Sequence, residues 1–276
     1  MTTRQPPHRW NHLRALMLDW AGTVVDFGSC APVAAFIATL ARHQIQVTTA
    51  QAREPMGKAK REHIAAILAM EPIMEQWRHR YQRDSNEADI DRIYVDFQTI
   101  QFEGLARHSH VIPGAAAAVA ICKAEGLKVG SSTGYTRAMM QVVMAQAKHE
   151  GYEADAMVCA DDVAFGRPAP WLIFEAMRRL NVYPSAAVVT VDDTVVGVEA
   201  GRNAGTWSIG LALTGNELGL SEQEVAKLRA DELTRLLAKA RQRLEAAGAH
   251  AVIDSIAQLP ALLDEIDQRM ERGERP

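Results

Sequence analysis

The feature that most constrains the fold is a short apolar segment near the N-terminus, Ala15 to Leu18, which is followed by Asp19. An unbroken apolar run of this length is typical of a strand that is buried on both faces of a parallel sheet. Such sheets bind ligands at the carboxyl ends of their strands, and Gly22 provides a flexible turn after Asp19. Because a lone Asp often only closes a turn, a functional role for Asp19 requires partners elsewhere in the chain.

The second half of the chain alternates strand-like and helix-like segments. Apolar runs predict further strands at 127–131, 156–159, 188–191, 206–209 and 251–253. Strands that alternate with helices are joined by right-handed crossovers into a parallel sheet. The predicted fold class is therefore α/β, with a doubly wound parallel sheet.

The segment between the first two strands has helical patterns and no convincing strand. Thr48 or Thr49 can cap a short helix there, and Asn86 can cap the last helix of the segment. This pattern indicates an all-helical insertion. We predict an α/β core formed by residues 1–27 and 106–276, and a helical cap domain formed by residues 28–105.

Polar residues follow three of the predicted strands, namely Asp19, Thr133 and Asp193. Because the carboxyl ends of parallel strands lie along one edge of the sheet, we expect these residues to meet. Two facing carboxylates are tolerated around a hard cation, so Asp19 and Asp193 are predicted ligands of Mg²⁺. The Thr133 hydroxyl and the Gly134 backbone N–H suit a phosphoryl group, and Arg167 supplies a cation. Taken singly, Thr133 could be an ordinary N-cap and Arg167 a surface ion pair.

Four motifs resemble, in chain order, those of the haloacid dehalogenase superfamily: Asp19-Trp-Ala-Gly-Thr, Ser132-Thr133-Gly134, Gly166-Arg167-Pro168 and Asp192-Asp193-Thr194. The resemblance implies that Asp19 is a nucleophile that forms an aspartyl-phosphate, with Mg²⁺ as cofactor. Ala21 stands where phosphatases of the superfamily have a second Asp; it cannot transfer a proton, although its carbonyl can bind the metal. Gly197 stands where a further acidic residue is common, and Asp192 could replace that residue.

A predicted cap helix carries a lysine among apolar residues. Lys60, His63, Ile64 and Ile67 share one face of this helix. Desolvation lowers the pKa of a lysine and favours the neutral amine, which forms Schiff bases with aldehydes. On spacing alone, a lysine that reaches solvent from the edge of the core, or one that only balances the charge of the substrate, is the more common arrangement. Ala21 makes the buried amine the favoured interpretation. The protonated imine of such a lysine accepts electrons from a carbon leaving group, so no acid is needed at position 21.

Three stretches, 19–32, 55–63 and 130–136, resemble the phosphonoacetaldehyde hydrolases, a family within that superfamily, and the similarity runs nearly the full length. It implies cleavage of phosphonoacetaldehyde to acetaldehyde and phosphate in the degradation of 2-aminoethylphosphonate, through a Lys60 Schiff base. It also implies roles for His63 and Met56 in proton handling and cap packing. The residues implied in substrate binding are Thr133, Gly134, Arg167 and Gly57.

The resemblance further implies a homodimer joined through the caps, and Trp77 could lie on that surface or inside the cap. The alternative activity is that of a magnesium-dependent phosphatase or phosphomutase acting on a small phosphate ester. A catalytically silent binding module on the same fold is a third possibility.

Composition limits the remaining partners. The net charge of −4, with basic residues spread along the chain, argues against a nucleic-acid surface. Three scattered cysteines favour a reducing compartment. Residues 1–11 lack the apolar segment of a signal peptide, and no apolar run approaches the ~18–20 residues that span a bilayer. We therefore predict a cytoplasmic protein that acts on a small molecule, without nucleic-acid or membrane partners.

Overall fold

A six-stranded parallel sheet forms the centre of the computed structural model, which describes residues 9–276. The strands are β1 (Ala15–Leu18), β2 (Lys128–Ser132), β3 (Ala156–Val158), β4 (Val188–Asp192), β5 (Trp207–Leu211) and β6 (Ala251–Ile253). Their order in the sheet is β3-β2-β1-β4-β5-β6, and all neighbouring pairs are parallel. The predicted doubly wound α/β sheet is confirmed. The signal-peptide prediction falls largely on residues 1–8, which lie outside the described residues.

The central strand β1 is buried on both faces. Leu16 lies opposite Val129 of β2 on one side and opposite Val189 of β4 on the other. The chain therefore winds outward from β1 through β2 and β3, and then returns to the opposite side of β1 at β4. Such a reversal leaves a crevice at the carboxyl ends of the two strands, which is where open α/β sheets bind ligands.

A helical insertion separates β1 from β2, and no strand occurs in this fully described stretch. Its helices are α1 (Cys30–Arg42), α2 (Thr49–Arg53), α3 (Lys60–Leu68), α4 (Glu71–Tyr81) and α5 (Glu87–Leu105). Thr48 caps α2 and Asn86 caps α5, each through a reciprocal side-chain to backbone pair. The insertion has its own hydrophobic core, which includes Phe36, Ile67 and Phe97. The helical cap is thus confirmed, whereas its limits at residues 28 and 105 stay a prediction.

The helix α3 carries Lys60 inward as its first residue. The inward face of α3 consists of Lys60, His63, Ile64, Ile67 and Leu68. On its outer face, Arg61 pairs with Glu87 and Asp91 of α5. Exposed ion pairs contribute at most about 1 kcal/mol each, whereas burying an isoleucine contributes about 1.5–3 kcal/mol. The two isoleucines therefore decide which face of α3 is buried, and Lys60 follows them.

Helices cover both faces of the sheet in the core. They are α6 (Ala115–Ala124), α7 (Arg137–His149), α8 (Trp171–Leu180), α9 (Val195–Asn203), α10 (Glu222–Val225), α11 (Ala230–Ala246) and α12 (Leu259–Glu271). Successive side chains of β1 point to opposite faces: Leu16 and Leu18 pack with α6, α7 and α12, while Ala15 and Met17 pack with α8 and α9. The core thus holds the carboxyl end of β1 in place from both sides.

The tryptophan considered for the dimer surface lies inside the cap. Trp77 is 1% exposed and packs against Tyr81 with ring centroids 4.3 Å apart, so it is not available to a partner chain. The three cysteines, Cys30, Cys122 and Cys159, are free thiols, in agreement with the absence of a disulfide pattern. Across residues 9–276, each helix is too short or too polar to cross a bilayer.

Candidate active site

Three buried carboxylates meet at the crevice between β1 and β4. Asp19 directly follows β1, Asp192 ends β4, and Asp193 comes next. Each offers an oxygen, and these three oxygens lie within 4.8 Å of one another. All three residues are less than a tenth exposed. The structure therefore brings Asp19 and Asp193 together, as the order of the strands predicts.

The turn after Asp19 passes unusually close to Asp193. Gly22 has a φ of +85°, and a Cβ at this position would lie 2.1 Å from Asp193 Oδ2, so only glycine fits. The Asp193 carboxylate accepts hydrogen bonds from the Asn216 backbone N–H at 2.7 Å and from the Thr23 hydroxyl at 3.4 Å. Ala21 lies in the same turn and lines the cavity beside Asp19. This turn thus joins the ends of β1 and β4 into one rigid site.

Asp192 fills the space beside Gly197. A Cβ at Gly197 would lie 1.9 Å from Asp192 Cγ, so α9 can pack here only with a glycine. Asp192 Oδ1 accepts hydrogen bonds from the Thr194 N–H at 3.0 Å and from its hydroxyl at 2.7 Å. Thr194 in turn caps α9. A carboxylate from position 192 therefore occupies the volume that a side chain at position 197 would need.

Arg167 is a buried cation that contacts this cluster. Its Nη2 lies 2.7 Å from Asp19 Oδ1, and its Nη1 lies 3.3 Å from Asp192 Oδ2. Nη2 also donates to the carbonyl and hydroxyl oxygens of Ser132, at 3.2 and 3.0 Å. Burial opposes the charge of Arg167, but Asp19 and Asp192 raise its pKa above the ordinary value. The alternative of a surface ion pair is wrong, because Arg167 is 5% exposed.

The carboxylate cluster has an excess of negative charge. Burial raises the pKa of Asp19 to about 6, with Arg167 opposing and Asp192 adding to the shift. Burial, together with repulsion by Asp19 and Asp192, raises the pKa of Asp193 well above its usual range. A divalent cation would relieve this repulsion, and an oxygen-only donor set fits a hard cation such as Mg²⁺.

Thr133 and Gly134 follow β2 at the same edge of the sheet. Thr133 is buried, its N–H donates to the Val158 carbonyl at 3.1 Å, and its hydroxyl accepts from the Tyr135 N–H at 3.1 Å. The alternative of an ordinary N-cap at Thr133 is wrong, because Thr136 caps α7. Thr133 instead lines the cavity together with Gly134, beside Asp19.

Lys60 approaches these groups from the cap. It is 8% exposed, so the alternative of a lysine extending to solvent is wrong. Its Nζ lies 5.3 Å from the ring centre of Tyr135 and 5.6 Å from that of Phe36. Burial lowers the pKa of Lys60 to about 8, although the charge of Asp19 opposes this shift. A substantial fraction of the amine is therefore neutral near physiological pH.

A cavity between cap and core joins the two sets of groups. Its lining residues are Asp19, Ala21, Ser29, Pro32, Met56, Gly57, Lys58, Lys60, Thr133, Gly134, Tyr135, Arg167, Asp193 and Thr194. The cap is seated directly on the core: Gly57 has a φ of +92°, and a Cβ there would lie 2.5 Å from Thr194 Oγ1. The lining of the cavity thus combines groups that bind a small anion with an amine that can react with a carbonyl group.

Comparison with known proteins agrees with this geometry. A family model of haloacid dehalogenase-like hydrolases matches residues 13–205. A phosphonoacetaldehyde hydrolase of Paraburkholderia xenovorans (strain LB400) is 41% identical over 265 residues, which cover 96% of this chain and 99% of the relative. The chain belongs to the phosphonoacetaldehyde hydrolase family. The resemblance drawn from the motifs is confirmed.

Two further relatives match the whole chain. A phosphonoacetaldehyde hydrolase-like protein of Syntrophobacter fumaroxidans (strain DSM 10017 / MPOB) is 39% identical over 274 residues, which cover 99% of both proteins. The crystal structure of a phosphonoacetaldehyde hydrolase like protein from Oleispira antarctica matches with a TM-score of 0.95 and 40% identity, over 100% of both chains. The solved structure from Oleispira antarctica therefore shares both the cap and the core of this fold.

Two further residues that the family resemblance singled out lie at different depths. Met56 is buried and lines the cavity. His63 lies behind Lys60 in the cap core and does not line the cavity; its ring stacks on Phe36, with centroids 3.8 Å apart. His63 Nε2 donates to the Ala52 carbonyl at 2.9 Å, while Nδ1 has no partner among the described residues. Burial, reinforced by Lys60, lowers the pKa of His63 well below its usual range, so the ring is neutral.

Sequence reasoning did not single out Tyr135, Lys58 or Ser29, which also line the cavity. Tyr135 directly follows Thr133 and Gly134, so the strand-end argument could have included it. Ser29 adopts a left-handed conformation, with a φ of +48°, that the sequence gives no reason to expect. Lys58 lies two residues before Lys60, and the periodicity of α3 could not place it because it precedes the helix.

Proposed function

We propose that this chain hydrolyses the carbon–phosphorus bond of phosphonoacetaldehyde, giving acetaldehyde and phosphate. The observation that carries the proposal is the shared cavity of Lys60 and Asp19, in which a buried amine of lowered pKa faces a carboxylate from the opposite domain. The family relatives, which bear this activity in their names, support it further.

The first step is the condensation of Lys60 with the aldehyde. The neutral Nζ attacks the carbonyl carbon, water leaves, and the imine takes up a proton. The rings of Tyr135 and Phe36 pack near this amine, so bulk water has little access to the imine. Thr133, Gly134 and Arg167 hold the phosphonate oxygens at the other end of the substrate.

The second step transfers phosphorus to Asp19. A carboxylate oxygen of Asp19 forms the new bond to phosphorus as the carbon–phosphorus bond breaks, and the electron pair moves into the iminium group to give an enamine. The enamine carbon takes a proton, and one water releases acetaldehyde from Lys60. A second water hydrolyses the aspartyl-phosphate, so one water is consumed overall.

The residues fit a magnesium-assisted reaction. Asp19, Asp193 and the Ala21 carbonyl would hold Mg²⁺, which supplies positive charge that lets an anionic phosphonate approach the carboxylate of Asp19. The absence of an acid at Ala21 fits the leaving group, because an enamine departs without a proton from the core domain. A phosphate ester would instead leave as an alkoxide and would require such an acid.

A direct assay tests the proposal. Purified protein should release phosphate and acetaldehyde in equal amounts from phosphonoacetaldehyde, and chelation of divalent cations should stop both. Small phosphate esters serve as the comparison substrates. Turnover of an ester at a rate equal to or above that of the phosphonate would favour the phosphatase or phosphomutase alternative.

The pH dependence of imine formation provides a further prediction. Since burial lowers the pKa of Lys60 to about 8, its neutral fraction grows as the pH rises toward 8 and saturates above it. With acetaldehyde as the aldehyde, the initial rate of imine formation should rise about tenfold per pH unit below this value. This rate is measured by quenching timed samples into borohydride at one fixed pH and determining the labelled protein by mass spectrometry. A rate that still rises between pH 9 and 10 would contradict a buried Lys60.

Replacing the two adjacent carboxylates separately should have unequal effects. Asp193 lines the cavity, whereas Asp192 does not and is held by Thr194 and Arg167. We therefore propose that Asp193 binds Mg²⁺ directly and Asp192 acts through water or Arg167. Asp193→Asn should weaken Mg²⁺ binding at least about tenfold more than Asp192→Asn. Calorimetric titration with Mg²⁺ measures both, and equal losses would refute the assignment.

The wider setting of the enzyme is part of the proposal. We propose that residues 28–105 act as the cap domain and that two chains associate through it, since α5 exposes Val95 and Phe102, which are 61% and 50% accessible. Three free cysteines suit a reducing compartment, so we propose that the enzyme acts in the cytoplasm on 2-aminoethylphosphonate-derived aldehyde.

A further inference from the structure

We propose that Arg53 is a positioning residue that couples the seating of the cap to the carboxylate of Asp193. Arg53 is the last residue of α2, in the cap, and lines no part of the cavity described above. Only the measurement of turnover in the experiment below rests on the proposed function. The structural basis of the inference is a chain of contacts that runs from the cap to the carboxylate cluster.

The guanidinium of Arg53 joins three segments of the protein. Nη1 donates to the carbonyls of Gly28 at 2.8 Å and Ser29 at 3.2 Å, which lie in the first linker between core and cap. Nη1 also donates to Asn216 Oδ1 at 3.1 Å, and Nη2 donates to the Gly219 carbonyl at 2.9 Å. Asn216 and Gly219 belong to the core loop that follows β5. One cap residue therefore holds both the linker and this loop.

The loop is shaped to receive Arg53 and the linker. Gly219 has a φ of +69°, and a Cβ there would lie 2.7 Å from Arg53 Nε. A Cβ on Gly28 would lie 2.3 Å from the Leu220 carbonyl oxygen, and the Gly28 N–H donates to the Thr214 carbonyl at 2.7 Å. The four oxygen acceptors of Arg53 are all uncharged. The contact thus depends on the geometry of the seated cap more than on long-range attraction between charges.

The same loop holds Asp193 in place. The backbone N–H of Asn216 donates to Asp193 Oδ2 at 2.7 Å, and a Cβ on the preceding Gly215 would lie 2.4 Å from Asp193 Cβ. Asn216 therefore accepts a hydrogen bond from Arg53 of the cap through its side-chain oxygen. Its backbone N–H donates a hydrogen bond to the Asp193 carboxylate. When the cap lifts, Asn216 loses its hydrogen bond to Arg53 and the loop is free to relax around Asp193. By linkage, a cation bound at Asp193 should favour the seated cap.

The neighbouring residue provides a matched control. Glu54 follows Arg53 and also faces the core, where it lies 3.7 Å from Arg243. Both side chains are largely exposed, at 66% and 41%, so this pair should contribute little. Arg243 also pairs with Glu217 of the loop at 2.9 Å, but Glu54 itself donates or accepts no hydrogen bond there. Glu54→Gln therefore removes a charge at the same cap–core boundary without removing a direct contact to the loop around Asp193.

The experiment compares Arg53→Gln and Glu54→Gln in the full-length protein. Calorimetry without substrate measures Mg²⁺ affinity, which should fall about tenfold in Arg53→Gln, for the loss of a charge-assisted hydrogen bond, and stay unchanged in Glu54→Gln. Hydrogen exchange of residues 26–30 and 214–220 should slow on Mg²⁺ addition in the wild type and in Glu54→Gln, but not in Arg53→Gln. At sub-saturating Mg²⁺, turnover of phosphonoacetaldehyde should fall with Mg²⁺ affinity. Added guanidinium ion should partly restore the Mg²⁺ affinity of Arg53→Ala.

Arg53→Gln with wild-type Mg²⁺ affinity and wild-type slowing of exchange would overturn the proposal. Should Arg53→Gln fail to fold, Asn216→Ala removes the same hydrogen bond from the core side. This variant should also bind Mg²⁺ more weakly and lose the slowing of hydrogen exchange by Mg²⁺. A wild-type protein that binds Mg²⁺ but does not cleave phosphonoacetaldehyde would contradict the proposed function, while the affinity and exchange measurements would still decide the role of Arg53.

Discussion

Replacing Lys60 with arginine should abolish carbon–phosphorus cleavage, lowering kcat/KM by at least about 1,000-fold, as is common when a covalent catalytic group is removed. Arginine provides a positive charge on a side chain of similar length. Its guanidinium stays protonated in proteins and cannot form an imine with an aldehyde. Phosphate release from phosphonoacetaldehyde measures the effect. A phosphatase that needs only a cation at this position would keep substantial activity.

A second lysine in the cavity provides the control. Lys58 lines the same cavity two residues before Lys60, so Lys58→Arg makes the same chemical change close to the reacting groups. We expect Lys58→Arg to keep activity within about tenfold of the wild type, because only one amine forms the imine. Borohydride reduction in the presence of substrate should label Lys60 in the wild type and in Lys58→Arg. A label on Lys58, or activity in Lys60→Arg above one tenth of the wild-type value, would refute the assignment.

Replacing Asp19 with asparagine should have an equally large effect for a different reason. The amide is a poor nucleophile toward phosphorus, so turnover should again fall at least about 1,000-fold. Lys60 remains in place, and loss of the Asp19 charge, which raises the pKa of Lys60, should increase the neutral fraction of the amine. Asp19→Asn should therefore still form the imine, and borohydride should trap substrate on Lys60.

The two variants together separate the halves of the reaction. Lys60→Arg should show neither trapping nor turnover, while Asp19→Asn should show trapping without turnover. The trapped adduct also serves as the control that Asp19→Asn is folded with its cap seated. Loss of trapping in a folded Asp19→Asn protein would mean that imine formation depends on the core carboxylate, which the proposed order of steps does not allow.

The elements of the fold follow from local patterns in the sequence. Apolar runs predicted all six strands, and β1 and β6 match the predicted limits. Capping residues predicted where α2 and α5 begin: Asn86 for α5, and Thr48 or Thr49 for α2, of which Thr48 is the cap. These features depend on residues within a few positions of each other, so they can be read without knowledge of the tertiary structure. The inward face of α3 also followed from spacing, because two isoleucines fix it.

The sequence also indicated which strand ends carry the chemistry. Asp19, Thr133 and Asp193 each follow a strand, and a parallel sheet brings such positions to one edge regardless of the details of packing. The four motifs and the departure at Ala21 then narrowed the class of reaction. The positions at the sheet edge thus followed from residue identity and strand order, whereas the class of reaction followed from the resemblance of the motifs to the superfamily.

Only the tertiary structure decided how these side chains are arranged around the cavity. Asp192 occupies the volume beside Gly197, His63 lies behind Lys60, and Arg53 reaches the loop that holds Asp193. Each of these placements depends on the packing of one element against another, and those of Asp192 and Arg53 also depend on glycines at which a Cβ would clash. Periodicity records which face of an element is buried, but it does not record which residue, often distant in sequence, packs against that face, so these contacts could not be read from the chain.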